Sequence, residues 1–291
     1  MASFFIKLLL RTCSLLPLRL NHQLGALIGY LLYLIPNQAR HVCKVNIGLC
    51  FQDKSAKQQR LLLKTTLRET GKTFTEMGAV WYWDSDRLLA LIHKVHDEYL
   101  LLDALTRQRG ILLMTPHLGC WEILNFYLNQ HGNFTCMYKP PRLSGLDTVI
   151  LNARKRTGSR LAPTTTSGVK MLYSALKQGE MVGVLPDQNP GKDQGVFAPF
   201  FGLPANTMPL VLRLARQTKP LVLLIYSRRL PKGRGFDIYL QSLDDDIYAD
   251  DPVIAAACLN QAMEQAIRQC PEQYQWSYKK FKYQPDGRKF Y

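Results

Sequence analysis

His117 and Glu122 are the residues of this 291-residue chain whose types and spacing best suit acid–base chemistry. A histidine can take the proton of a hydroxyl near neutral pH, and a carboxylate that accepts from its Nδ1–H leaves Nε2 free as the base. Glu122 lies five residues after His117, about one and a half turns if a helix begins near Leu118. The pair therefore predicts that proton removal makes a substrate hydroxyl nucleophilic and that no covalent enzyme intermediate forms. A structural role is equally open: His117 would bond a backbone carbonyl and Glu122 would favour the positive end of a helix.

A strand, a turn and a helix must position this pair. Ile111 to Met114 is an apolar run of strand character, Pro116 interrupts it, and Glu122 to Leu128 has helical apolar spacing. In open α/β sheets, the carboxyl ends of the strands line the ligand crevice. We therefore expect His117 to face a substrate from a rigid strand-to-helix turn.

The spacing of His117 and Glu122 resembles the His-x4-Asp/Glu motif of the lysophospholipid acyltransferase superfamily. More of the chain resembles the lipid A late acyltransferase branch of that superfamily, from about residue 25 almost to the end. The matching stretches are Arg40 with Val45–Phe51, Tyr138–Arg142, Arg156–Ser159, Leu185–Gln188, Phe200–Gly202 with Ala205 and Thr207, and Trp276–Lys282.

This resemblance implies a fold similar to that of glycerol-3-phosphate acyltransferases and an O-acyltransferase that needs no cofactor or metal. The implied donor is an acyl carrier protein thioester, with coenzyme A as the less favoured one, and the acceptor is a hydroxyl of a lipid A precursor or related anionic glycolipid. His117 would be the general base and Glu122 its orienting partner. The implied location is a bacterial inner membrane, with the active site facing the cytoplasm.

Substrate-binding residues are also implied by the resemblance. Arginines of the superfamily hold phosphate or carrier groups, and the matching candidates are Arg142 and Arg160, with a solvated surface charge as the alternative for each. Asp187 and Gln188 stand where the glycerolipid branch carries Glu-Gly-Thr-Arg, which disfavours a glycerol phosphate acceptor; they either contact the substrate or support residues that do. Candidates for the wall of an acyl slot, with ordinary core packing as the alternative, are Phe197, Phe200, Phe201 and Leu203.

Charge is the unusual part of the composition. The chain has 37 Lys and Arg against 22 Asp and Glu, a net charge of +15. This favours an anionic partner such as lipid headgroups or an acidic protein, and because no RNA- or DNA-binding motif is present, we expect no nucleic-acid partner. Seven scattered cysteines without a Cys-x2-Cys pair argue against a zinc site or a disulfide framework. Cys120 is expected to pack in the core and not to act as a nucleophile.

The most apolar part of the chain is residues 3 to 35. Its first helical stretch is interrupted by Lys7 and Arg11 on one face, which suits a helix lying in the membrane interface. Leu24 to Ile35 contains Gly25 and Gly29 in a Gly-x3-Gly arrangement, but it is short for a span of about 20 residues. We expect residues 1–36 to associate with a membrane, as a tilted span or a re-entrant pair, with a buried core helix as the alternative. Basic residues 40–44 would then lie on the cytoplasmic side.

The rest of the chain alternates strands with helices. The periodicity is helical from Gln58 to Leu105, and later helices are predicted at 146–156, 167–177, 209–217 and 252–268. Strands are predicted at 134–138, 181–185, 221–226 and 236–240. This order predicts one α/β domain over residues 37–291, with a mixed, largely parallel sheet flanked by helices.

Three functions stay open from the sequence. The first is the lipid A acyltransferase, the second an acyltransferase acting on another lysolipid or aminolipid, and the third a noncatalytic basic membrane-binding protein. A serine hydrolase is disfavoured because the chain has no Gly-x-Ser-x-Gly turn.

Overall fold

The computed structural model describes residues 2–141 and 144–291. The α-helices are α1 (Ala2–Ser14), α2 (Leu18–Leu34), α3 (Gln38–Cys50), α4 (Ala56–Tyr82), α5 (Ser85–Leu89), α6 (Tyr99–Thr106), α7 (Ile123–Leu128), α8 (Ser144–Arg156), α9 (Thr166–Lys177), α10 (Pro209–Thr218) and α11 (Pro252–Gln269). The strands are β1 (Ile92–His96), β2 (Ile111–Met114), β3 (Phe134–Tyr138), β4 (Arg160–Pro163), β5 (Met181–Val184), β6 (Val196–Phe200), β7 (Leu203–Thr207), β8 (Leu221–Arg229) and β9 (Phe236–Ser242).

A seven-stranded sheet organises the molecule, in the order β1-β9-β8-β2-β5-β3-β4. Neighbouring strands are parallel except β8 and β9, which pair antiparallel. The predicted α/β fold with a mixed, largely parallel sheet is therefore confirmed. Strand β2 lies between β8 and β5, so the turn that follows it opens between the ends of two other parallel strands.

The core fills both faces of this sheet. Leu112 and Met114 of β2 pack on one face with α9, α10 and α11, and Ile111 and Leu113 pack on the other with α6 and α7. All four side chains are fully buried. Burial on both faces explains the continuous apolar run of β2, because a half-exposed strand would alternate apolar and polar residues. The strand end that carries His117 is consequently rigid.

The first two helices pack along α4, and the Gly-x3-Gly pair of α2 makes this contact close. A Cβ atom at Gly29 would lie 2.0 Å from the carbonyl oxygen of Leu67, and one at Gly71 would lie 2.0 Å from that of Gly25. The glycines thus let two backbones touch inside the molecule. Within residues 2–141 and 144–291, no helix has both the length and the apolarity to cross a bilayer.

Two parts of the chain differ from the expected elements. Residues 92–96, predicted as helix, form the strand β1, because pairing with β9 outweighs the helical spacing of their neighbours. The β6–β7 hairpin was not predicted as strands.

We predict that Gly71→Ala destabilises the protein by about 1 to 3 kcal/mol, because its methyl group would press on the backbone of α2. Gly48→Ala is the matched control: it lies inside α3, where the nearest atom to a new Cβ is 4.0 Å away. This control should raise stability by about 0.5 to 1 kcal/mol, since alanine favours a helix interior. Thermal and urea unfolding followed by circular dichroism measures both. Equal stability of Gly71→Ala and the unaltered protein would contradict the close crossing.

Candidate active site

His117 and Asp187 meet at the carboxyl ends of two neighbouring strands. In the parallel pairing of β2 with β5, Met114 is aligned with Val184, and each functional residue follows its strand at the same distance in sequence. The Nδ1 atom of His117 lies 2.7 Å from Oδ1 of Asp187, and the backbone N–H of His117 donates to Oδ2 at 2.8 Å. This double contact fixes the ring and favours Nδ1 as the protonated nitrogen, which leaves Nε2 free.

The prediction that Glu122 accepts from the His117 ring is wrong. Glu122 is at the start of α7, and its carboxylate turns to α8, where Arg154 donates from Nη2 to Oε1 at 2.5 Å and from Nε to Oε2 at 3.2 Å. Spacing in sequence placed Glu122 one and a half turns away on one helix, but α7 begins only at Ile123, so the carboxylate is not carried back to the ring. Glu122 nevertheless lines the same cavity as His117.

Asp187 is charged although it is only 2% exposed. Burial alone would raise its pKa, but the neighbouring His117, through its charge and two hydrogen bonds, holds the pKa of this carboxyl below its ordinary value. His117 keeps 17% of its side chain exposed, and Trp121 packs edge-on against its ring with centroids 5.0 Å apart. The Nδ1 edge of the ring is therefore held by Asp187, while the Nε2 edge is partly exposed and has the Gln188 amide 3.4 Å away.

The turn that carries His117 is bound from two sides. The carbonyl of His117 accepts from the N–H of Gln275 at 3.0 Å, and the N–H of Gly119 donates to the carbonyl of Gln273 at 3.1 Å. Gly119 has φ of +59°, and a Cβ atom there would lie 2.0 Å from the carbonyl oxygen of Ser227 in β8. Only glycine meets both conditions without strain, so the turn can close tightly against β8.

A cavity of about 1090 Å³ opens beside the free edge of His117. One wall is apolar and is formed by Met137, Ile150, Val169, Tyr173, Leu185, Met208 and Leu210. Cationic residues also line it, namely Lys139, Arg154 and Arg213. The combination of an apolar wall with positive charges suits an amphipathic anionic ligand.

The other predicted substrate-binding residues differ in whether they lie at this cavity. Gln188 lines the cavity, with its Nε2 3.4 Å from Nε2 of His117. Arg160 is near the amino-terminal edge of the sheet, where it pairs with Glu180 and donates to Thr135, and it does not line this cavity. Arg142 lies outside the described residues.

None of the four candidates for the wall of the acyl slot lines this cavity, and the alternative of core packing holds for Phe200 and Phe201. Phe200 and Phe201 are buried in the core, and Phe201 packs against Phe51 and Trp276. Phe197 and Leu203 are likewise absent from the lining residues. These positions belong to the β6–β7 hairpin, which turns its aromatic side chains to α11 and the carboxyl-terminal segment.

Sequence reasoning missed Arg154 as a site residue. Arg154 lies near the end of α8, and its partner Glu122, which precedes α7, is 32 residues away in the chain. Tyr278 and Asn189 were also missed: both line the cavity, and the N–H of Asn189 donates to Oη of Tyr278 at 2.8 Å. The sequence does show a carboxylate, Glu122, directly before the apolar helix Ile123–Leu128. A carboxylate that is buried with such a helix needs a cation, and this was the signal that could have pointed to Arg154.

Comparison with known proteins identifies the family of this chain. Residues 1–283 match the pattern of the family described as bacterial lipid A biosynthesis acyltransferase. This chain belongs to that family. It is therefore an acyltransferase, and the predicted resemblance to the lipid A late acyltransferases is confirmed.

Individual members of the lipid A acyltransferase family match almost the whole chain. The lauroyltransferase of lipid A biosynthesis from Escherichia coli K12 is 27% identical over 275 residues, which cover 94% of this chain and 88% of that protein. The palmitoleoyltransferase from the same strain is 26% identical over 91% of this chain and 85% of its own length. A lipid A biosynthesis acyltransferase of Haemophilus influenzae is 24% identical over 99% of this chain and 88% of its own length.

We predict that Cys120→Ala retains acyl transfer within about threefold of the unaltered enzyme. Cys120 is fully buried, and burial raises the pKa of its thiol well above the ordinary value, so no thiolate forms near neutral pH. Turnover of the purified variant, together with its melting temperature, measures this. A folded but inactive Cys120→Ala enzyme would restore the cysteine as a candidate nucleophile.

Proposed function

We propose that this acyltransferase moves a fatty acyl group from an acyl carrier protein thioester to a hydroxyl of a lipid A precursor, with His117 as general base. Coenzyme A is the less favoured donor. The observation that carries the proposal is the His117 ring, bonded to buried Asp187 through Nδ1 and open to an apolar, cation-lined cavity on its other side.

The reaction is a direct transfer. Nε2 of His117 takes the hydroxyl proton as the acceptor oxygen attacks the thioester carbonyl, and the carbon–sulfur bond breaks when the tetrahedral intermediate collapses. The imidazolium then returns the proton to the leaving thiolate. Asp187 holds the ring in the required tautomer and stabilises its protonated form, the part that the sequence had assigned to Glu122.

Glu122 acts through Arg154 in this proposal. Only 15% of the Arg154 side chain is exposed, and the contacts of its guanidinium with Glu122 hold it in the cavity wall. Its positive charge faces a poorly solvated site, where it would offset the negative charge that develops on the thioester oxygen. Loss of Glu122 would release the guanidinium from this position.

The cavity walls suit the two substrates. The acyl chain would lie along the apolar wall, where each buried CH₂ contributes about 0.8 kcal/mol. Lys139, with Arg213 of α10, would face the phosphate groups of the glycolipid or the acidic carrier. Lys139 and Arg213 would thus take the anion-binding role that was predicted for Arg160, because Arg160 pairs with Glu180 near the opposite edge of the sheet.

We further propose that residues 1–36 hold the enzyme on the cytoplasmic face of the bacterial inner membrane. The apolar side chains exposed on α1, on α2 and in the turn between them include Phe4, Phe5, Leu8, Leu15, Leu20, Leu27, Leu31 and Leu34. Large apolar areas on a protein surface are typical of membrane contacts. Helix α1 also packs against α8, which walls the cavity through Ile150, so a lipid acceptor would reach the site from that surface.

We predict that His117→Ala, Asp187→Asn and Glu122→Ala each lower transfer by at least about 10²-fold while the protein stays folded. The first removes the base, the second permits the wrong tautomer, and the third frees Arg154. Mass spectrometry of the acceptor lipid, which gains the mass of one fatty acyl unit, measures the rate.

Two substitutions serve as matched controls for this test. His41→Ala removes an exposed histidine of α3, and Arg160→Gln breaks an ion pair of the same type as that of Arg154 but away from the cavity. Both should keep nearly full activity, whereas Arg154→Gln should lose it. Full activity of folded His117→Ala would remove the proposed base.

We predict that Leu8→Glu combined with Leu15→Glu weakens binding to anionic phospholipid vesicles at least about tenfold, because two apolar contacts are replaced by charges. The control combines Leu102→Glu with Ile254→Glu, which are each 46% exposed but lie on α6 and α11. Vesicle flotation measures both pairs. Equal binding of the two double variants would place the membrane contact elsewhere.

A further inference from the structure

Helix α4 carries a row of cations along one face. They recur at intervals of three or four residues, the spacing that places side chains on one side of a helix. These cations are Lys57, Arg60, Lys64, Arg68 and Lys72. The two acidic residues of α4, Glu69 and Glu76, pair with Lys72 and with cations of other elements. Among the residues that the structure describes, Lys64 and Arg68 therefore take part in no ion pair.

A groove of about 400 Å³ lies between α2 and α4 beside this row. The residues that line it are Gln23, Ala26, Leu27, Tyr30, Lys64 and Arg68. None of them is acidic, so no group of the lining neutralises the two cations. The Nζ atom of Lys64 lies 5.2 Å from the centre of the Tyr30 ring, a contact that positions the ammonium and leaves its charge in place.

The close crossing of α2 and α4 brings the apolar and cationic sides of the groove together. A Cβ atom at Gly29 would lie 2.6 Å from the Cα atom of Arg68, so the two backbones touch where the Arg68 side chain begins. The long side chains of Lys64 and Arg68 can therefore reach past the edge of α2. The groove is consequently apolar on one side and cationic on the other.

The apolar side of the groove continues into an exposed stripe of α2. The residues of this stripe recur about once per helical turn and face away from the core. They are Leu20, Gln23, Leu27, Tyr30, Leu31 and Leu34. Helices that lie on anionic bilayers place leucine in the acyl region, tyrosine at the level of the headgroups and Lys or Arg beside the phosphates. The stripe and the row of cations on α4 have this arrangement.

We propose that the groove between α2 and α4 binds the headgroup of an anionic phospholipid of the bilayer. The phosphate lies between Lys64 and Arg68, which are one helical turn apart, and the start of an acyl chain lies along Leu27. Guanidinium and ammonium groups both form charge-assisted hydrogen bonds with phosphate oxygens. A lipid suits the groove better than an acidic protein, because the exposed leucines of α2 extend from it. The inference rests on the membrane association proposed for residues 1–36 and names the lipid group that this surface recognises.

Lys64→Gln combined with Arg68→Gln tests the groove, since glutamine keeps a polar side chain and removes the charge. We expect this double variant to bind vesicles of phosphatidylglycerol and phosphatidylcholine about 10- to 30-fold more weakly than the unaltered protein, because each cation near an anionic surface contributes to binding. Its binding to vesicles of phosphatidylcholine alone should not change. Vesicle flotation measures both, and circular dichroism checks the fold.

The matched control combines Lys170→Gln with Lys177→Gln. It removes the same charge from two exposed lysines of α9, which packs on β3, β4 and β5. This control should stay within about threefold of the unaltered protein, because charges away from the bilayer are screened. An equal loss in the two double variants would mean that net charge attracts the vesicles, and it would overturn the inference. Equal binding of the unaltered protein to both kinds of vesicle would also overturn it, while the apolar contact of residues 1–36 would stand.

A second measurement locates the lipid. Phosphatidylglycerol with a photoreactive diazirine in its headgroup should label residues 23–30 or 64–68 of the unaltered protein, as mapped by mass spectrometry of its peptides, and the Lys64→Gln, Arg68→Gln variant should lose this label. Labelling confined to α1 would overturn the inference, as would full vesicle binding by that variant with loss of transfer from acyl carrier protein, which would assign the groove to an acidic protein. If the groove is labelled but the unaltered enzyme transfers no acyl group, the proposed function fails while the headgroup site stands.

Discussion

The hydrogen bond between His117 and Asp187 is the contact on which the site depends. The bond requires that the buried Asp187 carboxylate stays ionised. Two donors of His117, its backbone N–H and its Nδ1, stabilise the charged form. The bond also needs β2 and β5 to be neighbours, since the two residues are 70 positions apart in the chain. Rigid strands fix the separation of the two groups more closely than loops would, which suits a base that must meet a hydroxyl at hydrogen-bond distance.

A second buried network supports the turn from behind. Arg229 of β8 donates to Glu76 and Glu69 of α4 and approaches the carbonyl of Gly119 at 3.4 Å. Burial would raise the pKa of Glu76, but the charge and hydrogen bonds of Arg229, with His22 of α2, lower it to about 2. Buried ion pairs give little net stability, but they fix one arrangement of their partners. Here they tie α4, and with it α2 of the proposed membrane-facing segment, to the strand beside the turn that carries His117.

The three cations of the cavity lining differ in whether they are paired. Arg154 is engaged by Glu122 and is not free to bind a mobile phosphate, whereas Lys139 and Arg213 line the cavity as exposed cations. The proposed donor and acceptor both carry negative charge, so the net charge of +15 on the chain would raise their concentration near the protein and would also favour an anionic membrane surface. The apolar lining comes from β3, α8, α9, α10 and the residues just after β5 and just before α10, not from the β6–β7 hairpin.

Local sequence determined the elements near the site, because a doubly buried strand such as Ile111–Met114 and the turn after it have strong short-range signals. It also determined the family, through motifs spread over the chain, and marked His117, Asp187 and Gln188 as site residues. Only the tertiary structure decided which carboxylate meets the histidine. Glu122 is close in sequence, but Asp187 is close in space, because strand order is set by the packing of the whole sheet and not by spacing along the chain. The same reason hid Arg154 as the partner of Glu122, because the two residues belong to parts of the chain that are far apart in the sequence.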